Sequence, residues 1–489
     1  MSRQVSESSA RRLVVLPFAL SLAAAVVLTL AGCATPGEAT SRSKPLDAAS
    51  LQLDPAATTA PAADWWKAWR DPQLDALVER ALADSPSLRL AQSRLARAAA
   101  SREGVDAQGA PQVGLELDAT RQRYTENGLI PPPLAGATET SATLQASARW
   151  EIDFFGRHRA ALDAALGSER AAAADAQAAR VLLATNVVRG YVQLARLVEQ
   201  REIAQRTLAQ REETLQLVAA RVSSGLDTNV ELRQSEGSVP DARQQIAALD
   251  EQIALARHAL ATLTAQRPDA LDALAPRLGA LPPLAALPSR LPADLLGRRA
   301  DIEAARQRVQ ASRSGVAEAR AAFYPNVDLV AFAGFSSLGL NQLLDAGSRQ
   351  LGIGPAITLP IFDGGALRAN YRGRNAELDS AIESYNQALL GALREVADQV
   401  ASTRSIAQQQ SEQAAAQAAA ESAYALALQR YRAGLGTYLT VLSAETTVLQ
   451  QRRLGADLRA RALDTQALLA QALGGGYDAE AAPRLAAAH

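Results

Sequence analysis

The sequence has few of the residues that usually build reactive or metal-binding sites. Among 489 residues there is one cysteine, and the three histidines, His158, His258 and His489, lie far apart. A single cysteine excludes an intrachain disulfide, and scattered histidines do not form the grouped ligands of a zinc site. No Ser/His/Asp arrangement or pair of carboxylates stands out either. The sequence therefore predicts no enzyme, no catalytic residue, no bound metal and no cofactor apart from a covalent lipid.

An excess of charge of one sign is also absent. The formal net charge is −1, and a nearly neutral chain lacks the strongly basic surface that attracts a polyanion. Nucleic acid is therefore not a predicted partner.

Aromatic residues make up only 4% of the chain, which favours closely packed helices over a thick globular core. Two stretches, about 157–222 and 366–431, contain no proline and place apolar residues three or four positions apart. At about 1.5 Å per residue, each would form a helix of roughly 100 Å, too long for an ordinary globular domain. These lengths predict a coiled-coil conduit or scaffold.

Long apolar runs are missing everywhere except at the N-terminus. The run 13–31 follows three arginines and leads into the sequence LAGC, which ends at Cys33. This pattern is typical of a lipoprotein signal peptide over residues 1–32, and it leaves Cys33 as the acylated N-terminus. Two or more acyl chains give a stable anchor. An aspartate directly after the acylated cysteine would resemble a signal for retention in the inner membrane. Residue 34 is an alanine, so the outer membrane is favoured. Residues 33–63 are predicted to be an acylated flexible tether.

One stretch of the chain is present twice. RVSSGLDTNVELRQSE at 221–236 aligns without a gap on RYRAGLGTYLTVLSAE at 430–445. Gly225 and Gly434 predict the ends of the two long helices, and Thr228 and Thr437 predict caps of returning helices at about 228–265 and 437–473. The chain is therefore divided into a first repeat over 64–277, a second repeat over 278–477 and a C-terminal tail over 478–489.

Each repeat also contains a pair of segments with alternating apolar residues, an alternation that residues 328–335 keep poorly. In the first repeat these lie near 112–120 and 143–152, and in the second at 325–335 and 350–362. A half-buried soluble sheet and a membrane strand both give this period. The lipoprotein signal and the long helices favour a membrane barrel. Four strands cannot enclose a lumen, and two chains would leave little room, whereas three chains give twelve strands and a channel.

Several motifs carry a resemblance to a known family and follow one another in order over residues 64–477. They are WW at 65–66, WRDPQL at 69–74, WEIDFFGR at 150–157, LGRRADI at 296–302, YPNV at 324–327, LPIFDGG at 359–365 and ALGGGY at 472–477. The chain resembles the outer membrane factors of tripartite efflux pumps, which are TolC-like, and among them the NodT-type lipoproteins.

The resemblance implies a TolC-like α+β fold in the outer membrane. Three identical chains would share a twelve-stranded β-barrel, and their long helices would form a coiled-coil tunnel through the periplasm. The implied partners are a periplasmic adaptor protein, an inner-membrane pump commonly of the resistance-nodulation-division type, and outer membrane lipid. Two alternatives stay open, namely the outer membrane component of a type I polypeptide secretion system and a structural coiled-coil lipoprotein, which the four alternating strands disfavour.

The resemblance also assigns roles to the duplicated stretch at the periplasmic tip. An adaptor would dock on residues of both copies, which are Arg221, Gly225, Leu226, Arg430, Gly434 and Leu435. Related lipoproteins narrow the closed aperture with a leucine and, four residues later, an aspartate on the second returning helix. The matching positions are Leu439 and Ser443, so we expect a gate closed by apolar contact at Leu439, with help from Tyr438. Whether Glu445 replaces the missing carboxylate is left open.

Overall fold

The computed structural model describes residues 40–46, 61–278 and 299–477. The predicted signal peptide, Cys33 and the C-terminal tail lie outside the described residues. The chain divides into two compact units. The strand unit contains 97–170 and 306–384 together with the described residues up to Pro45, and the helix unit contains 61–96, 171–278, 299–305 and 385–477 together with Leu46. None of the helices within the described residues is both long enough and apolar enough to cross a membrane.

The two repeats share the succession of a helix, two strands, a long helix and a returning helix, and the first repeat has one further helix at its start. The first repeat begins with α1 and then has α2, the strands β1 and β2, the long helix α3 and the returning helix α4. The second repeat has α5, β3, β4, the long helix α6 and the returning helix α7. The bounds are α1 Pro72–Asp84, α2 Pro86–Gln108, β1 Gln112–Arg123, β2 Thr138–Glu151, α3 Arg157–Ser223, α4 Asn229–Leu263, α5 Ala300–Ala321, β3 Asn326–Leu338, β4 Arg349–Thr358, α6 Ala366–Arg432 and α7 Tyr438–Ala472. The predicted long and returning helices are confirmed.

The four strands form one antiparallel sheet in the order β1-β2-β3-β4. Leu144 of β2 lies opposite Leu117 of β1 on one side and opposite Phe335 of β3 on the other. Pairing of β2 with β3 thus joins the two repeats, so the compact units do not follow the repeat boundary at 277. The strands β1 and β4 are left at the edges of the sheet.

The fourth strand is shorter than the sequence predicted. It ends at Thr358, whereas the alternation of apolar residues continues to Phe362. Pro360 has no backbone N–H to donate to a strand ladder, and Gly364 and Gly365 then adopt φ values of 65° and 94°. Only glycine adopts such values readily. Glycine therefore forms the turn from strand to helix here and at Gly156, where φ is 74°.

The apolar core of the helix unit includes the three tryptophans near its start. Trp65, Trp66 and Trp69 are buried and belong to one cluster with Val187 and Val188 of α3. These tryptophans therefore pack the segment before α1 against α3.

Asp71 connects the short helix α1 with α3. The Tyr191 hydroxyl on α3 donates to Oδ2 of Asp71 at 2.6 Å, and Oδ1 of Asp71 accepts from the backbone N–H of Gln73 at 2.9 Å. Asp71 is therefore the N-cap of α1 and also joins that helix to α3.

Residues 40–46 correct one prediction about the tether. In the strand unit, Asp379 Oδ1 of α6 accepts from Ser41 Oγ at 2.6 Å and from the backbone N–H groups of Arg42 and Ser43 at 2.9 and 3.0 Å. In the helix unit, the Leu46 N–H donates to Asn386 at 2.8 Å. The prediction of a flexible tether is wrong for residues 40–46, because side chains of α6 satisfy their backbone donors.

Candidate gate at the helix tips

The two turns that join the long helices to the returning helices have the same backbone geometry. Gly225 and Gly434 have φ values of 71° and 74°. The N–H of Leu226 donates to the carbonyl of Arg221 at 2.8 Å, and the N–H of Leu435 donates to that of Arg430 at 2.8 Å. This pattern ends a helix at a left-handed glycine. Leu226 and Leu435 are 65% and 70% exposed, so the structure places these two predicted docking residues on the surface of the chain.

The helix caps that follow the two turns differ. Oγ1 of Thr228 accepts from the N–H of Val230 at 3.2 Å, and Glu231 accepts from the N–H of Thr228 at 3.0 Å. These bonds form a capping box. Thr437 makes no such bond; its hydroxyl is 3.1 Å from that of Thr440. Thr437 occupies the predicted N-cap position of α7, but its hydroxyl caps no backbone N–H. The residue at the position of Glu231 is Thr440, which has no carboxylate to complete the box.

Three side chains connect the first turn to α6. Arg221 Nε donates to Asp227 Oδ2 at 2.8 Å, and its Nη1 donates to the carbonyl of Tyr431 at 3.2 Å. The Tyr431 hydroxyl donates to Asp227, and the Arg221 guanidinium lies 4.7 Å from the centre of the Tyr431 ring. We call Arg221, Asp227 and Tyr431 the tip cluster. It joins a residue of the second repeat to two residues of the first.

The tip cluster shifts the pKa values of Asp227 and Tyr431 in opposite directions. Hydrogen bonding from Arg221, supported by Tyr431, lowers the pKa of Asp227. Burial, together with the hydrogen bond to Asp227, raises the pKa of Tyr431. At ordinary pH the carboxyl is therefore an anion and the phenol keeps the proton that it donates.

The second tip has no equivalent cluster. Arg430 is aligned with Arg221, but Gly436 occupies the position of Asp227. Arg430 is exposed, and its Nη2 donates to the carbonyl of Leu435 at 3.4 Å. The side chain of Arg221 is only 12% exposed and is held in the tip cluster, and its contact with an adaptor stays a prediction. The two aligned arginines have different environments.

The residues predicted to form the gate fall into two groups. Leu439 is 63% exposed, and Ser443 is exposed one turn further along α7, on the same face of that helix. Tyr438 is buried in an apolar cluster with Val218 and Tyr431. The proposed help from Tyr438 at the aperture is therefore wrong, because its ring packs inside the tip.

Glu445 also lies inside the helix packing. It is 8% exposed, and its carboxylate is 3.3 Å from Nε of Arg211 on α3. Arg211 also donates to Asp241 of α4 at 2.9 Å. Burial raises the pKa of Glu445, and Arg211 opposes the shift. Arg211 thus joins three helices, with Glu445 as its partner on α7, and the structure does not place Glu445 where it could replace the missing gate carboxylate.

A family model described as outer membrane efflux protein matches residues 77–266 and 291–475. The chain belongs to this family. It is 33% identical over 472 residues to the multidrug resistance outer membrane protein MdtQ of Escherichia coli, covering 92% of this chain and 97% of the relative. It is 39% identical over 362 residues to the fusaric acid resistance protein FusA of Burkholderia cepacia, covering 72% of this chain and 68% of the relative.

Solved structures of similar chains agree with the family assignment. The outer membrane protein VceC of Vibrio cholerae superposes with a TM-score of 0.79 at 36% identity, covering 86% of this chain and 100% of that one. The CmeC outer membrane channel of Campylobacter jejuni gives 0.82 at 21% identity, covering 92% and 98%, and supports the fold alone. The chain is an efflux channel protein of the outer membrane with a TolC-like α+β fold. The predictions of family, fold, efflux function and location are confirmed.

Proposed function

We propose that three copies of this chain form a homotrimeric exit duct with one shared twelve-stranded barrel. The observation that carries this proposal is a four-stranded sheet whose edge strands β1 and β4 have no partner within the described chain. Edge strands in lipid would leave backbone N–H and C=O groups unsatisfied. Joining β4 of each copy to β1 of the next satisfies them, and twelve strands leave room for a lumen.

The two faces of the sheet suit a barrel wall. On β1 the side chains of Val113, Leu115 and Leu117 share one face and are highly exposed. The opposite face carries polar contacts between strands, such as Gln350 with Gln145 at 2.9 Å and Arg149 with Asp328 at 2.6 Å. One apolar and one polar face are what a strand between lipid and water requires.

The tip cluster acts as a latch of the closed state. Asp227 receives hydrogen bonds from both Arg221 and Tyr431, so moving the end of α6 away from the first turn breaks charge-assisted bonds. Leu439 is exposed on a single chain and would meet its counterparts around the threefold axis. The gate is then closed by an apolar ring at Leu439 and held by the tip cluster.

The partners are a periplasmic adaptor and an inner-membrane pump of the resistance-nodulation-division type. The exposed leucines Leu226 and Leu435, each beside a left-handed glycine, offer an adaptor two similar apolar contacts per chain. The relatives named for multidrug and fusaric acid resistance support small organic compounds as cargo. Lipid on Cys33 would anchor the N-terminus in the outer membrane.

Mass and conductance test the duct directly. Full-length protein purified from membranes should have three times the chain mass by native mass spectrometry and should give channels in planar bilayers. Loss of the gene should sensitise cells to substrates of the pump only when the pump is present. A monomer, or a trimer without conductance, would sink the proposal. Mass spectrometry of the N-terminal peptide should find acyl chains on Cys33 and none after Cys33→Ser.

A further inference from the structure

The two edge strands share a pattern that the channel function does not explain. On β1 the residues on the face of Leu117 continue through Ala119 to Arg121 and Arg123. On β4 the apolar row that begins at Leu351 is preceded on the same face by Arg349. In both strands the arginines stand at the end next to the strand–strand loops, 124–137 and 339–348. The apolar row of each edge strand therefore ends in arginine at the same end of the sheet.

The other end of the sheet is different in chemistry. Near the turns into the long helices, Trp150, Phe154 and Phe362 are exposed, and the rings of Phe155 and Tyr324 stack with centres 5.0 Å apart. Aromatic side chains of this kind lie at the interface between the hydrocarbon layer and lipid headgroups. The sheet thus presents aromatic rings to one interface and guanidinium groups to the other.

Two of the arginines have no anionic partner in the described part of the chain. Arg121 and Arg349 are exposed, and no ion pair forms at either of them among the described residues. Arg123 differs, since its Nη2 lies 3.2 Å from Oε1 of Glu126. A guanidinium at the edge of a hydrocarbon layer lies at the depth of the lipid headgroups, whose phosphates can accept its hydrogen bonds. Arg121 and Arg349 are therefore suited to an anion from the membrane.

We propose that Arg121 and Arg349 of neighbouring copies together bind the phosphate of a phosphorylated glycolipid in the outer leaflet. The inference rests on the proposed homotrimer, because β1 and β4 are opposite edges of one sheet. The apolar rows of β4 and of the next copy's β1 would lie at the same depth in the membrane. With the rows matched in this way, Leu351 is level with Ala119, and Arg349 is level with Arg121. Two planar guanidinium groups can hold one phosphate with paired hydrogen bonds. A trimer would have three such sites, one at each junction.

Binding of lipid A to the purified trimer tests the proposal. The probes are lipid A with two phosphates, the same lipid after enzymatic removal of its phosphates, and inorganic phosphate, each added to trimer in detergent and followed by native mass spectrometry. The wild-type trimer should bind up to three phosphorylated lipids, and the double variant Arg121→Gln/Arg349→Gln should bind at least about tenfold more weakly. Arg94→Gln, which removes an exposed arginine from α2, should bind like the wild type.

A second variant separates charge from geometry. Arg121→Lys/Arg349→Lys keeps both charges but cannot form paired hydrogen bonds, so its affinity should fall between those of the wild type and the glutamine variant. Equal binding by the wild-type and glutamine trimers would overturn the proposal. So would equal binding of the dephosphorylated lipid, or full displacement of lipid A by an equal concentration of inorganic phosphate. Wild-type protein that is not trimeric would instead refute the proposed duct itself, whereas conducting trimers without selective lipid binding would refute only this site.

Discussion

The two helix tips have similar sequences and similar backbone turns, but their side-chain contacts differ. Both turns have a left-handed glycine and an exposed leucine. Only the first has a capping box at Thr228 and an arginine paired with an aspartate. Only the second has a further exposed leucine, Leu439, four residues before Ser443. We infer from this difference that the shared backbone turn keeps a docking surface for an adaptor at both tips, whereas the substituted side chains give the two tips different roles. In the proposed duct, the first tip supplies the latch and the second supplies the apolar gate.

The largest effect is expected from removing the carboxylate of the latch. Asp227→Ala leaves Arg221 and the Tyr431 hydroxyl without their partner, and we expect a loss of about 2 kcal/mol after allowance for water at the tip. That corresponds to a roughly 30-fold shift toward open channels, measured as conductance in planar bilayers and as entry of a large antibiotic into cells.

Glu236 offers a matched control for that change. It is an acid of the same hairpin, and among the described residues it pairs only with Arg233, an exposed neighbour on α4. Glu236→Ala should leave conductance as in the wild type. If both alanine variants leaked equally, the tip cluster would not be the latch.

The apolar gate should depend on the second tip alone. Leu439→Ser removes an apolar side chain from the ring, a change of about 1.5 kcal/mol that predicts roughly tenfold more leakage. Its counterpart in the first repeat is Val230, which is also exposed, and Val230→Ser should have no effect. Glu445→Gln should also leave leakage unchanged, since that carboxylate is buried against Arg211. A leaky Glu445→Gln channel beside a tight Leu439→Ser channel would reverse the assignment of the gate.

A smaller effect is expected from a single hydroxyl. Tyr431→Phe keeps the ring beside the Arg221 guanidinium but removes the hydrogen bond to Asp227, which is worth about 1 kcal/mol. Leakage should rise about fivefold. Tyr438→Phe, in the same apolar cluster, serves as the control and should match the wild type. Equal leakage of the two variants would show that the hydroxyl of Tyr431 does not hold the tip.

Mild acid should have almost no effect on the latch. The pKa of Asp227 is lowered in the fold, so its contribution is complete above the unfolded value of about 3.9 and is lost only as pH falls through the lowered folded value. The pKa of Glu445 is raised, so the folded state takes up that proton more readily, and protonation there does not destabilise the fold. Conductance should therefore be the same at pH 7 and 5. An increase over that range in the wild type but not in Asp227→Asn would contradict this sign.

The caps should affect local stability without affecting conductance. Thr228→Ala removes the capping box and should destabilise the start of α4 by about 1 kcal/mol, seen as faster amide hydrogen exchange at Val230 and Glu231. Thr437→Ala should change exchange at the start of α7 very little, because its hydroxyl caps no backbone N–H. Equal acceleration in both hairpins would mean that the two caps do not differ in solution.

Much of the fold follows from local patterns in the sequence. The long helices come from proline-free stretches with an apolar residue every three or four positions, and Gly225 and Gly434 mark their ends. The strands come from alternation, although Pro360 ended β4 earlier than the apolar pattern suggested. Nothing local predicts the tip cluster, because Tyr431 is more than two hundred residues from Asp227 along the chain. The alignment of the repeat did signal that the two tips differ, since Asp227 aligns with Gly436 and Glu231 with Thr440.

The sequence by itself determined the elements, their order, the two repeats and the family, since each depends on periods, turns and motifs within a few residues. Only the tertiary structure decided which side chains of the repeats face each other. A helical residue turns toward solvent or toward a neighbour according to how that helix packs. This is why Glu445 and Tyr438, adjacent to the gate in sequence, are buried, while Leu439 is exposed. It is also why Arg221 and Arg430, identical in the repeat, differ in partner and in burial.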